Sequence, residues 1–190
     1  MFIVELTPGP NMGWLAALSA QHGRRVGFMA VIGITLGLSV QMLAAATGLA
    51  TLISHLPLAY QLIRWAGVLF MVYLAWEAFA DVEDTTTVSE LSSKGFTRGF
   101  IANVLNPKAL VFYVAVVGQF ANPVIGSLWW QILVLGALHL MVAIIVHAAI
   151  VMIGASFGAA FETWRRSLVA RLFFAGSLLA IAAWIAVSTG

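Results

Sequence analysis

Cysteine is absent from the 190-residue chain, which excludes disulfides, thiolate metal centres and thiol redox chemistry. Charge is nearly as scarce: 8% of residues are Asp, Glu, Lys or Arg, where soluble domains carry about 25%. No nucleophile elbow, phosphate-binding glycine loop or metal-ligand cluster is present, so no cofactor or metal is expected and nothing points to an enzyme. A cationic leader with a short apolar core and a small-residue cleavage site is also missing, so no cleaved signal peptide is expected. The net charge of +2 and pI near 9.4 come from basic residues scattered over short loops. That scatter excludes a nucleic-acid surface.

What the chain has instead is apolar length. Hydrophobic residues make up 62% and the mean hydropathy is +1.02, more apolar surface than a water-soluble fold can bury. Runs of roughly 20 residues match the length a helix needs to cross about 30 Å of hydrocarbon. An all-α integral membrane protein with six transmembrane helices follows, with the lipid bilayer as its solvent. The spacing predicts spans at Met1 to Ala20, Val26 to Ile53, Leu58 to Ala80, Gly99 to Ala121, Leu128 to Phe157 and Leu168 to Ser188. Residues Met1 to Thr7 cover only about 10 Å at the helical rise, so the first half-helix is expected to be re-entrant or to start upstream of Met1. Arg24 and Arg25, then Lys94 and Arg98, then Arg165, Arg166 and Arg171 fall in alternate loops, while 54–60 and 121–127 hold none. Basic loops resist translocation, which places these three in the cytoplasm and both termini outside.

The halves resemble each other. Trp65-Ala66-Gly67 precedes Trp76 as Phe174-Ala175-Gly176 precedes Trp184, with Arg64 and Arg171 ahead of them. The first and fourth spans each carry an interior proline break beside an asparagine: Pro8-Gly9-Pro10-Asn11 and Asn106-Pro107. Three spans per half force the second half to enter from the opposite side. The expected architecture is a 3+3 inverted repeat in one transmembrane domain, 1–190, with helices 1 and 4 discontinuous. Repeat one is 1–80, a solvated Thr- and Ser-rich linker 81–95, and repeat two 96–190. Such repeats build transporters whose site lies at the midplane between broken helices.

Unpaired backbone groups at membrane depth cost several kcal/mol each, so a break survives only where protein or water satisfies it. The helix beginning near Asn11 offers free N–H groups and a positive dipole end to a carboxylate. The carbonyls around Leu6 and Thr7 suit an ammonium group. Asn103 and Asn106, three residues apart, share a helical face with Lys108 nearby. The expected substrate-binding set is therefore Thr7, Pro8, Gly9, Pro10, Asn11, Asn103, Asn106, Pro107 and Lys108. A buried charge needs a partner, which makes Glu5 the proton-coupling candidate, paired with Lys108. The bland alternative leaves Glu5 in interfacial water and lets Lys108 snorkel.

Thr7-Pro8-Gly9-Pro10-Asn11-Met12, Gly23-Arg24-Arg25 with Gly27, Arg64-Trp65-Ala66-Gly67 and Asn103 through Asn106-Pro107-Lys108-Ala109 resemble the lysine exporter and homoserine/threonine resistance family (LysE/RhtB) over nearly the whole chain. The resemblance implies a six-helix transporter of the bacterial inner membrane that exports amino acids or close derivatives, driven by the proton gradient.

Other features have plainer readings. His139 and His147 sit about 80° apart around one helix, better suited to interhelical hydrogen bonds than to a metal. Gly33 with Gly37 and Gly154 with Gly158 permit close helix contact, within one subunit or across a homodimer seam. The tryptophans cluster near span ends as an interfacial belt. Glu77, Asp81, Glu83 and Asp84 read as a solvated acidic end. Two competing classes remain: a membrane-embedded enzyme, for which no nucleophile is placed beside a base, and a non-transporting accessory protein in which the breaks merely pack.

Overall fold

The computed structural model describes residues 10–80, 87–117, 120–160 and 167–188. Among these every regular element is helical. Helix α1 is Pro10–Ala46, α2 Leu49–Ser54, α3 Pro57–Phe79, α4 Val88–Val104, α5 Pro107–Val111 followed by a π-helical turn Phe112–Val117, α6 Leu128–Ala160 and α7 Leu168–Ser188. Four of them, α1, α3, α6 and α7, are long and apolar enough to cross a membrane.

Helix α1 is two limbs. Gly23 has φ 81 and ψ −178, a region that only glycine enters without steric penalty. Residues 19 and 27 of a straight helix stand about 12 Å apart, yet a Cβ on Gly27 would lie 2.5 Å from Ser19 Oγ. The chain therefore doubles back at Gly23, which separates a first limb, 10–22, from a second, 24–46. The second limb stops at Ala46, earlier than the expected Ile53, because Gly48 takes φ 79 and turns the chain into α2.

Glycine brings helix backbones together where side chains would hold them apart. The second limb packs on α4: a Cβ on Gly37 would lie 2.9 Å from Phe100 O and one on Gly95 3.1 Å from Val26 O, with Gly33 against Phe96 O and Gly99 against Ala30 O. The first limb packs on α6, where a Cβ on Gly154 would lie 2.8 Å from Ala16 O and Gly158 meets Ala20 O. Both glycine pairs thus serve packing within the chain. Helix α3 pairs with α7.

Val88 to Lys94, within the expected linker, are helical. Thr87 accepts from Glu90 N at 3.3 Å while its own N–H reaches Glu90 Oε2 at 2.9 Å, a capping box that starts the helix in spite of the Ser and Thr content around it.

Apolar side chains fill the core and also cover the outside, and a few polar groups are buried among them. Leu62, Leu69, Val134, Ile145, Ile153 and Leu172 are exposed, while Asn11, Gln41, Asn103, Asn106, His139 and His147 are buried. An apolar exterior suits hydrocarbon, and the buried polar groups then need their own hydrogen bonds.

Candidate functional site

The polar centre begins with a backbone interruption. Helix α4 ends at Val104; Leu105 has φ −86 and ψ 8, and Asn106 is extended at φ −85 and ψ 105. Pro107 explains this, since it lacks an N–H and its ring pushes the preceding residue out of the helical region. Asn103 O still accepts from Asn106 N–H and Asn106 O from Leu110 N–H, but Val104 O at the break is given no backbone donor from beyond α4 among the described residues. Gln41, on the second limb of α1, supplies one. Its Nε2 lies 2.9 Å from Asn103 O, 3.0 Å from Val104 O and 3.3 Å from Asn106 O. A buried carbonyl left unpaired costs about 1–3 kcal/mol, so Gln41, as the donor to Val104 O, helps the interruption sit inside the protein.

Three asparagines meet beside it. Asn103 Nδ2 donates to Ile34 O at 2.8 Å, and Asn103 Oδ1 accepts from Asn11 Nδ2 at 2.8 Å and, at the limit of a hydrogen bond, from Asn106 Nδ2 at 3.5 Å. The backbone carbonyls fix which end of each amide is which. Asn103 and Gln41 must point nitrogen at main-chain oxygen, so Asn103 offers oxygen to Asn11, and Asn11 answers with nitrogen. Two acceptors are left over. Asn11 Oδ1 and Gln41 Oε1 are buried with no hydrogen-bond donor among the described residues.

The structure therefore brings Asn11, Asn103 and Asn106 together. Pro10 opens α1 and Pro107 is buried beside the cluster. Lys108 is half-buried, and its backbone N–H donates to Asn106 Oδ1 at 3.1 Å. Glu5, Thr7, Pro8 and Gly9 lie outside the described residues. Gln41 was not anticipated. The signal was present: it is the sole carboxamide in Val26 to Ile53, and an amide at membrane depth needs a partner.

Two other buried polar groups, His139 and Arg64, link helical elements. His139 Nδ1 meets Tyr113 OH at 3.1 Å and its ring lies 4.2 Å from that of Phe112, the interhelical bond expected of a core histidine. Arg64 on α3 is buried, bonds Gln61 Oε1 at 2.9 Å and donates to Ala186 O. That carbonyl is in the last turn of α7, where free C=O groups and the negative dipole end receive a cation.

Glu77 corrects an expectation. Far from being a solvated acidic end, it is ion-paired with Arg98 of α4, with side chains 25% and 16% exposed. Asp81, Glu83 and Asp84 are outside the described residues. Glu90, at the solvated start of α4, is held below the ordinary glutamate range by the Thr87 backbone N–H and then its hydroxyl.

Comparison with known proteins gives this cluster its setting. Residues 2–189 match the family of LysE type translocators. The chain belongs to the LysE family. This translocator is 32% identical to a homoserine/homoserine lactone efflux protein of Salmonella typhimurium over 76% of its own length and 71% of the relative's. It is 33% identical to a membrane protein of Vibrio cholerae, covering 70% of the chain and 67% of the relative. A leucine efflux protein of Enterobacter sp. is 30% identical over 64% of the chain and 60% of the relative. No solved structure matches. The translocator is thus a multi-pass membrane protein, as its exposed apolar helices require.

Proposed function

We propose that this translocator exports amino acids or close derivatives across the bacterial inner membrane, and that its substrate site is the amide cluster at the α4 interruption. The observation that carries the reading is the pair of buried acceptors with no donor among the described residues, Asn11 Oδ1 and Gln41 Oε1, on either side of Asn103. Homoserine, its lactone and leucine, the compounds named for the relatives, have in common an α-ammonium group beside a carbonyl carbon. An ammonium group brings three donors and no acceptor, which is what two leftover acceptors lack. The first turn of α1, starting at Pro10 beside this cluster, offers free N–H groups to a carboxylate where the substrate has one.

A 3+3 inverted repeat with helices 1 and 4 discontinuous is part of the same proposal. Counting the limbs of α1 as the first two helices, the first packs on the fifth, the second on the fourth and the third on the sixth. Exchanging the halves turns the first of these pairings into the second and maps the third onto itself, which supports the repeat. Energy comes from the proton gradient, with Glu5 as the titrating group and Lys108 as its counter-charge.

Efflux from cells loaded with leucine or homoserine tests the export reading. Asn103→Ala and Asn106→Ala are expected to abolish efflux at normal membrane abundance; efflux equal to that of the intact protein from both variants would overturn the site. Counterflow by Glu5→Gln that keeps its full pH dependence would remove the coupling role.

A further inference from the structure

A second polar site lies away from the amide cluster, at the end of the molecule where Arg24, Arg25, Lys94 and Arg98 gather. An internal cavity of about 60 Å³ is lined there by Trp14, Leu18, Gln21 and His22 of α1 and by Glu77, Lys94 and Arg98. An outer groove of about 360 Å³ runs between α3 and α4, past Tyr73, Ser93 and Thr97. The two spaces share Glu77, Lys94 and Arg98. The Glu77–Arg98 ion pair is therefore the partition between them.

Two further observations say what the partition is for. Glu77 Oε1 holds Arg98, but Glu77 Oε2 is buried with no donor among the described residues. The Tyr73 hydroxyl is a neighbour of this carboxylate, yet a carboxylate oxygen with no donor at hydrogen-bond distance can take a cationic one. The first limb also joins the cavity to the amide cluster: Asn11, Trp14, Leu18 and His22 recur at three- and four-residue spacing along one of its faces, with His22 at the cavity and Asn11 in the cluster about 17 Å along the helix.

We propose that Glu77 and Arg98 form the cytoplasmic admission site for the amino-acid substrate. The ammonium group of the incoming molecule binds Glu77 Oε2 and replaces Arg98. The freed guanidinium, with Lys94, takes the carboxylate. Breaking the pair opens the partition, and the substrate moves along the Trp14 and Leu18 face to Asn11. This inference rests on the export reading and assigns the cytoplasmic selectivity of that path.

The test is counterflow of leucine and homoserine in proteoliposomes, with KM measured on the cytoplasmic face. Losing a charge-assisted hydrogen bond in Glu77→Gln is expected to raise that KM about tenfold or more, with a smaller change in maximal rate per folded protein. The charge-swapped double variant Glu77→Arg with Arg98→Glu keeps a salt bridge but misplaces both charges, so its KM is expected to stay high. Wild-type KM in the swap would show a structural clasp and overturn the proposal, as would an unchanged KM in Glu77→Gln. If both variants fail to accumulate, Ala78→Cys reads the same site in an otherwise intact, cysteine-free protein. Leucine on the cytoplasmic face is expected to slow maleimide labelling there; labelling indifferent to leucine at saturating concentration would overturn the admission site. Absence of any counterflow by the intact protein would instead overturn the export reading, and the gate with it.

Discussion

Asn11 Nδ2 donates to Asn103 Oδ1 at 2.8 Å across 92 residues of sequence, joining the start of α1 to the end of α4. No backbone pairing requires this contact. It holds the first half of the chain to the second at the point where each carries a proline beside an asparagine.

Removing Asn103 should be costly. Asn103→Ala strands Asn11 Nδ2 in the buried cluster and deletes the bond to Ile34 O. At about 1–3 kcal/mol for a buried group left unpaired, thermal unfolding in detergent is expected several degrees lower. An unchanged midpoint would mean that water replaces the lost bonds.

Gln41 is expected to behave as an internal cap. Gln41→Met keeps most of the volume and removes the donor that serves three carbonyls. A loss of about 1–3 kcal/mol is expected, together with faster hydrogen exchange over 104–108. Gln41→Glu removes the same donor and adds a buried charge, so it should be worse than Gln41→Met. Stability of Gln41→Met equal to that of the intact protein would show that the carbonyls do not need this donor.

The glycines separate by what surrounds them. Gly158 abuts Ala20 O, while a Cβ on Gly176 would meet nothing within 4 Å. Gly158→Val is expected to prevent accumulation in the membrane by prising α6 from the first limb. Gly176→Ala should accumulate normally and gain up to about 1 kcal/mol of helix propensity. Quantitative immunoblotting and thermal melts distinguish the two.

Glu90 gives a pH dependence whose sign is fixed. Its folded-state pKa is lowered by the Thr87 N–H and hydroxyl, so its stabilisation is present above the ordinary glutamate pKa and fades as pH falls through the depressed folded value. Amide exchange at Thr87 and Glu90 should accelerate over that acidic window in the intact protein. In Glu90→Gln the rate should lack this extra acceleration.

Much of this was legible in the chain and some was not. The last helix, Leu168–Ser188, is legible end to end, because a long apolar run flanked by polar residues has few other solutions in a bilayer. The asparagines at the α4 interruption were readable because proline forces a break and a break needs polar neighbours. The helical state of Val88 to Lys94 is harder to read, since Ser and Thr content masks the Thr87 to Glu90 capping spacing. Gln41 and the Glu77–Arg98 pair depend on which helix faces which, and one sequence does not reveal that: Gln41 contacts residues more than 60 positions away.

The central claim is that the amide cluster holds the substrate's ammonium group, and equilibrium binding of radiolabelled leucine and homoserine to the purified protein tests it most directly. Saturable binding to the intact protein is predicted, weakened about tenfold or more in folded Gln41→Met and Asn103→Ala. Equal affinity in intact protein and both folded variants would contradict the account.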